Sequence, residues 1–440
     1  MASDGPFILY FLLTIFYGLV NSFTSPAFPD LKTQTVPPLS AAELGTLFVY
    51  RGVGSMAGAF MVGAALDQLD SSECWKRRYG ADPLSSTHFL LALCISFRVI
   101  SSWLMPLGTS ETAIGMNLAA LAFQSNAIYV CGSSGVSKTY GKLLGPRVSL
   151  MDAAFGVGGI FAPLLAKTVD WVGYNSAVVG YRVLAIVDLG LLAGTVSLLF
   201  IGGGDNETDV GVHQDADSGE TKKLLEAGEP SGAEETSEDL VDYTAVLINC
   251  VLTFSVDVCF ASAVFWCFAY ASQALKLSKD SSDVINAALW LVFTSVQFLW
   301  AYLQSHYPER WTATNILKLI MPWSFLMGLS MAVSSHLDTS LPAIFLVLLG
   351  LGGGMNALFT AILRQRTTIS GKAFGLLRVS SACGNMFGGA LVGWFESIVG
   401  LALALPVVEA SGMGLAMIVF WGCGKAGFTQ RMQNSDTVAV

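Results

Sequence analysis

Runs of about 20 apolar residues recur along the whole length of this 440-residue chain. Each run is long enough to cross a hydrocarbon core of roughly 30 Å as one helix. Only 12% of the residues are charged, whereas soluble domains carry about 25%. A soluble protein this apolar would expose large aggregating patches. The sequence therefore predicts an integral membrane protein built from α-helices.

Twelve spans are predicted, in two sets of six separated by a hydrophilic segment. The spans cover residues 6–28, 41–66, 87–106, 110–132, 147–168, 177–202, 242–270, 284–304, 313–335, 340–362, 370–397 and 399–423. This plan is typical of transporters built from two homologous halves. The predicted parts are an N-terminal half (1–202), a disordered acidic cytosolic loop (203–241), a C-terminal half (242–424) and a cytosolic tail (425–440).

The Lys and Arg residues of the short loops concentrate on one side of the predicted membrane, the side of the N-terminus. The positive-inside rule then predicts that both termini and the central loop are cytosolic. The membrane itself is either the plasma membrane or an endolysosomal one. The net charge of −9 comes from the acidic loop. It therefore indicates no acidic surface, and no basic footprint for nucleic acid is present.

Three stretches, 18–35, 51–67 and 140–165, share a pattern of glycine, proline and charge. Their distinctive residues are Gly18, Pro26, Asp30, Arg51-Gly52-x-Gly54, Asp67, Gly145-Pro146 and Phe155-Gly156-x-Gly158. The pattern resembles the major facilitator superfamily. Within it, the pattern is most similar to the branch of sodium-dependent glucose transporter-like proteins, which are relatives of the fucose:proton symporters.

The resemblance implies a central cavity lined by helices 1, 4, 7 and 10, and transport of a monosaccharide. Three places depart from the pattern of the relatives. Thr24-Ser25 stands where the fucose symporters carry a carboxylate, and Asn385 stands where a glutamate is expected on helix 11. On helix 4, Tyr129 and Ser133 stand where the branch carries a polar Asp-and-Asn motif.

Asp257 lies near the middle of the predicted helix 7. An ionised group inside a bilayer is costly unless it has a partner or a water-filled cavity. We expect Asp257 to couple transport to Na⁺, held by its oxygens, or to H⁺. The alternative is a carboxyl group that only hydrogen-bonds a neighbouring helix.

Other charges in the spans have separate interpretations. Arg98 and Asp188, both about half-way across, are predicted to form a structural ion pair between helices 3 and 6. Arg51 either gates the outer side or binds an anionic group. Asp67 and Arg77 are predicted to belong to an inner gate, a role the resemblance implies, although bases beside a span are also an ordinary helix flank.

Asp152, near the start of helix 5, is predicted to join the same inner network. A polyol site should offer amides and aromatic faces. The candidates are Tyr17, Asn21, Gln124, Asn126, Tyr129, Trp266, Asn356 and Asn385. Hydrogen bonds that only pack helices together explain any one of them equally well.

The acidic loop contains an acidic dileucine pattern, Glu220 with Leu224 and Leu225. In a flexible cytosolic segment this pattern predicts a sorting adaptor as a partner. Such short patterns also arise by chance.

The favoured function is secondary transport of a small neutral solute, a monosaccharide, by alternating access with Na⁺ or H⁺ coupling. One alternative is another small organic solute, such as an organic anion, moved by uniport or exchange; Arg51 and Arg98 would then matter more. A second alternative is a non-transporting receptor or scaffold with the same fold. The sequence shows no enzyme motif, metal-ligand spacing or cofactor motif, so the expected partners are the solute, the coupling ion and the lipid bilayer.

Overall fold

A computed structural model describes residues 5–39, 41–79, 84–140, 144–201, 243–335, 340–364 and 371–423. Within these ranges the chain forms twelve long helices, the tenth in two parts. They are α1 (Gly5–Gln34), α2 (Ala41–Ser71), α3 (Ser85–Leu104), α4 (Glu111–Tyr140), α5 (Leu144–Trp171), α6 (Ser176–Ile201), α7 (Tyr243–Ala269), α8 (Lys279–His306), α9 (Ala313–Ser334), α10 (Ser340–Leu348 and Met355–Arg364), α11 (Gly371–Val399) and α12 (Leu401–Cys423). A short helix, Glu73–Tyr79, follows α2.

Eleven helical segments of the described chain are long and apolar enough to cross a membrane. The exception is α11, which has 29 residues but carries Arg378, Asn385 and several glycines. α11 packs extensively against α2 and α7. Its polar residues can therefore face protein instead of lipid. The predicted all-α fold with twelve membrane helices is confirmed, and the protein is a multi-pass membrane protein.

The helices agree with the predicted spans and often extend beyond them. For example, α1 continues to Gln34, whose side-chain amide donates to the Pro106 carbonyl oxygen at 2.6 Å. Hydropathy marks only the part of a helix that lies in hydrocarbon, so such extensions escape it. The division at 203–241 and 425–440 stays a prediction, since the acidic loop, with Glu220, Leu224 and Leu225, and the tail lie outside the described residues.

The six N-terminal helices meet the six C-terminal helices along two main contacts, α2 with α11 and α5 with α8. Within the N-terminal set, α1 packs closely against α5. A side chain at Gly158 of α5 would collide with the Ile15 carbonyl oxygen of α1. Small residues permit this approach where lipid provides no hydrophobic drive for helix association.

The tenth helix is interrupted at a run of glycines. A 3-10 turn covers Leu349–Gly352, Gly353 is extended and Gly354 has φ +79°, a conformation that favours glycine. The Gln297 side chain of α8 donates to the Gly353 carbonyl oxygen at 2.8 Å and satisfies part of the interrupted backbone. Broken helices of this kind occur in membrane proteins where the backbone is enclosed by protein or lines a cavity.

Arg98 of α3 and Asp188 of α6 form the expected ion pair. Both side chains are fully buried. The Arg98 Nε donates to both carboxylate oxygens at 3.0 Å, and Nη2 also donates to Oδ1. The pair joins two helices away from the interface between the two sets of six.

Candidate functional site

A cavity lies between the two sets of helices, near the middle of the bundle. Together with its opening it encloses about 660 Å³ of space. Its lining comes from α1, α4, α5, α7, α8, α10 and α11. The lining residues are Tyr17, Asn21, Tyr129, Asp152, Phe155, Val256, Asp257, Phe260, Ala261, Val264, Phe265, Trp290, Phe293, Gly354, Asn356, Arg378, Ser381 and Asn385.

Asp257 faces this cavity from α7, and its side chain is buried. The Asn356 Nδ2 of α10 donates to Asp257 Oδ1 at 2.8 Å. Asn356 reaches this position because the second part of α10 begins immediately after the glycine break. Two residues that were predicted for coupling and for solute binding are therefore in direct contact.

Arg378 of α11 is a cavity residue that the sequence analysis missed. Its Nη2 donates to Tyr17 Oη at 3.1 Å and lies 3.5 Å from Asn126 Oδ1, and its guanidinium is 4.0 Å from the Tyr129 ring centre. Arg378 thus extends from one set of helices to contacts in the other. The sequence does indicate this residue, because an arginine within a predicted span such as 370–397 suggests a functional site.

Asp152 lies in the cavity lining rather than in the inner network where it was predicted. Tyr129 Oη donates to Asp152 Oδ1 at 2.8 Å, and Tyr17 Oη lies 3.4 Å from Asn126 Oδ1. The span itself begins at Arg147 as predicted. Asp152 lies in the cavity because its carboxylate accepts from Tyr129 of α4, another lining residue.

Aromatic rings cover the α5 and α8 side of the cavity. Phe155 and Trp290 meet edge-to-face with ring centres 5.5 Å apart, and Phe260 stacks on Phe293 at 5.0 Å. Such faces suit the C–H surfaces of a bound ring, while the amides and tyrosines suit hydroxyl groups.

Five of the eight residues predicted to bind solute line the cavity: Tyr17, Asn21, Tyr129, Asn356 and Asn385. The other three contact neighbouring helices. Gln124 donates to Ser101 Oγ of α3 at 3.2 Å, Trp266 donates to the Gly389 carbonyl oxygen of α11 at 3.0 Å, and Asn126 donates to Ser55 Oγ of α2 at 2.9 Å. Asn126 still contacts the cavity residues Tyr17 and Arg378.

Arg51 of α2 is buried beside the cavity on its predicted outer side. It donates to the carbonyl oxygen of Asn21 at 3.0 Å and to the Asn21 side chain, and its guanidinium lies 4.5 Å from the Phe265 ring centre. Asn21 and Phe265 belong to opposite sets of helices. The contact therefore fits the gating interpretation, with an aromatic ring in place of an acid.

Further contacts join the two sets at both ends of the bundle. At the predicted outer end, Lys167 lies 3.1 Å from Asp280 and Lys279 lies 2.5 Å from Asp170. These two ion pairs connect α5 with the start of α8.

At the predicted inner end, Asp67 Oδ2 of α2 accepts from the Lys372 backbone N–H of α11 at 2.9 Å. Arg77, predicted for the same gate, is exposed on the short helix Glu73–Tyr79.

The sequence profile of the Major Facilitator Superfamily matches residues 10–389. The chain belongs to the Major Facilitator Superfamily. It is accordingly a secondary transporter and not an enzyme. The solved structures that are similar to this member of the superfamily include the following two. No curated protein matches its sequence.

One is a D-xylose–proton symporter, with a TM-score of 0.67 at 11% identity, covering 95% of this chain and 97% of the other. The second is the superfamily transporter FucP in the outward conformation, with a TM-score of 0.61 at 13% identity, covering 94% and 97%. At these identities the likeness establishes the fold.

Proposed function

We propose that this superfamily member moves a neutral monosaccharide together with one monovalent cation. One observation carries the proposal. The lining of the cavity holds two carboxylates, Asp152 and Asp257, and one guanidinium, Arg378, so its fixed charges sum to −1. A net charge in a desolvated site is costly. Binding one cation, Na⁺ or H⁺, cancels this net charge, and an uncharged solute can then bind beside the cation.

The neutral solute follows from the other lining residues. Amides and tyrosine hydroxyls offer hydrogen bonds, and the aromatic rings of α5 and α8 offer apolar faces. A monosaccharide presents both kinds of surface. The sequence resemblance to sugar transporters agrees with this choice, as does the similarity of fold to a D-xylose–proton symporter.

An organic anion is the second candidate solute, and Arg378 is the observation that favours it. Its Nε is buried without a hydrogen-bond partner among the described residues, and guanidinium groups bind carboxylates well. Asp152 and Asp257 oppose this candidate, because an added anion would raise the negative charge of the cavity further.

Uptake into liposomes that contain the purified protein tests the proposal. Radiolabelled neutral monosaccharides and organic anions are offered, with Na⁺ and H⁺ gradients imposed separately. We expect a monosaccharide to accumulate only when a cation gradient is present. Accumulation of anions alone would favour the second candidate, and no movement of any solute would favour a scaffold.

Matched variants sharpen the assay. Asp257→Asn should abolish cation-driven accumulation, since it removes the negative charge that requires a cation. Glu111→Gln makes the same chemical change in the first turn of α4, outside the cavity, and should leave coupling unchanged.

The predicted topology and sorting are proposals of the same kind. We propose cytosolic termini and a plasma-membrane or endolysosomal location, with an adaptor reading Glu220, Leu224 and Leu225. Replacing both leucines by alanine should move a tagged protein from internal membranes to the cell surface. An unchanged distribution would remove the motif from consideration.

A further inference from the structure

Gln297 of α8 lies beside the break in α10. Its side chain is 1% exposed, and its Nε2 donates to the Gly353 carbonyl oxygen at 2.8 Å. A side chain at Gly354 would collide with the Gln297 amide, so the amide packs directly against the backbone of the break. The described cavity lining includes Gly354 but not Gln297. Gln297 therefore fixes the backbone where α10 restarts without lining the cavity itself.

One face of α8 holds the whole break. Leu289, Phe293 and Gln297 follow one another at intervals of four residues, so they share this face. Side chains at Gly350 and Gly353 would collide with the Leu289 carbonyl oxygen and the Phe293 ring. Leu289 and Phe293 provide close packing, whereas Gln297 also provides a directed hydrogen bond. A buried amide is costly unless it finds such a partner, so this bond gives the break a defined position against α8.

The position of Asn356 in the cavity depends on this break. Asn356 lies in the first turn of the second part of α10, which begins at Met355. Its Nδ2 donates to Asp257 Oδ1 at 2.8 Å, and Asp257 also accepts from Ser381. Only three peptide bonds separate Gly353 from Asn356, and each of them is planar and stiff. The Asn356 side chain therefore follows a shift of the Gly353 backbone.

The neighbouring face of α8 forms part of the contact between the two sets of helices. Side chains at Gly156 and Gly159 of α5 would collide with Thr294 and Trp290 of α8. The two outer ion pairs described above join the same two helices. α8 thus contacts both the other set of helices and the break of α10.

We propose that Gln297 is a positioning residue for the solute: its hydrogen bond to Gly353 holds Asn356 where it contacts the bound solute. This role rests on the proposed function, in which Asn356 binds a neutral monosaccharide. Binding contacts have to be held within about 0.5 Å of their working geometry by supporting hydrogen bonds. Without the Gln297 donor, the Gly353 carbonyl group is free to shift and Asn356 shifts with it. Because α8 also contacts α5, the same bond links the solute contact to the relative position of the two sets of helices.

A role limited to stability gives a different expectation. If Gln297 only satisfied a backbone carbonyl, its replacement would lower the melting temperature without acting on the solute through Asn356. Two residues that act as one unit show non-additive effects. The effect of Gln297 on solute affinity should therefore disappear when the Asn356 amide is already absent.

Liposomes that contain the full-length protein measure this dependence, with radiolabelled D-xylose and D-glucose as probes. Gln297→Met keeps the length of the side chain and removes the donor. We expect the half-saturation concentration of the transported sugar to rise roughly tenfold in Gln297→Met, and to stay unchanged when the same change is added to Asn356→Ala. An equal rise in both backgrounds would overturn the inference.

Gln304→Met is the matched control. It makes the same chemical change about two turns further along α8, at a half-buried side chain, and should keep the half-saturation concentration of the parent protein. Gln297→Asn is the second variant, for use if Gln297→Met does not fold. It keeps the amide but shortens the side chain by one carbon, so the donor no longer reaches Gly353.

Hydrogen exchange of the purified protein, followed by mass spectrometry, tests the same inference without any solute. Loss of the Gln297 donor should speed exchange in residues 349–360 roughly tenfold and leave residues 401–412 of α12 unchanged. Unchanged exchange at 349–360 would overturn the inference even where sugar uptake is present. If the parent protein moves neither sugar, the proposed solute class fails, and the exchange at 349–360 alone decides whether Gln297 positions Asn356.

Discussion

The Arg98–Asp188 ion pair gives the sharpest prediction of stability. Both side chains are fully buried, and two N–O distances are 3.0 Å. At this distance and an effective dielectric constant of about 20, the attraction is roughly 5–6 kcal/mol. Removing one partner leaves the other charge buried without compensation, which lowers the free energy of unfolding by about 3–5 kcal/mol. That is a large part of the roughly 5–15 kcal/mol that holds a typical protein folded.

The double change removes both charges together. Arg98→Leu and Asp188→Leu should each lower the melting temperature strongly, whereas the double variant should melt close to the parent protein. Thermal unfolding of the purified protein in detergent, followed by tryptophan fluorescence, measures the effect. Because the double variant should be close to the parent, the double-mutant cycle should give a coupling of about 6–10 kcal/mol, the sum of the two single costs.

An exposed ion pair serves as the control. Lys76 and Glu73 lie 3.4 Å apart with side chains 50% and 75% exposed, so replacing either should cost less than about 1 kcal/mol. A double variant of Arg98 and Asp188 as unstable as the worse single variant would refute the reasoning.

Three further predictions concern the cavity. Gly354→Ala should impair uptake and stability, because φ is +79°, a strain of about 1–2 kcal/mol, and the new methyl group would meet the Gln297 amide. Tyr129→Phe removes the O–H donor to Asp152, a loss of about 1.5–3 kcal/mol, and should lower uptake tenfold or more in the kinetic assay. Arg378→Lys keeps the charge but loses the planar contact with Tyr129, so solute affinity in uptake competition should fall.

Matched changes outside the cavity provide the controls. Gly422→Ala places its methyl group in open space, Tyr307→Phe alters an exposed ring, and Arg310→Lys alters a side chain beside Trp311. Each should behave like the parent protein. Cavity variants that match these controls would show that the cavity does not carry the solute.

The sequence predicted the helices well, because a bilayer imposes one length and one composition on every span. It also singled out Asp257, Asn356 and the Arg98–Asp188 pair, since charged and amide groups stand out in apolar runs. It did not predict the break in α10. The sequence shows glycines at 350 and 352–354, but a glycine cluster is equally typical of close helix packing and of an interrupted helix.

Arg378 and Asp152 show the other limit of sequence reasoning. Arg378 was overlooked because α11 was judged by its glycines, although a buried guanidinium in a span required an explanation. Asp152 was assigned to the inner network because the sequence does not show that it meets Tyr129 of α4 in the cavity. Which side chains meet across the two sets of helices is a property of tertiary packing, and hydropathy carries no information about it.

The polarity of α11 has a consequence for how the protein is made. Helices enter the membrane from the translocon according to their own apolarity, and α11 falls short of the other eleven spanning segments. Its entry must therefore depend on helices already in place, above all α2 and α7, which cover it in the finished protein. We expect α11 to insert poorly when α2 and α7 are absent, and to insert efficiently when the preceding ten helices are present.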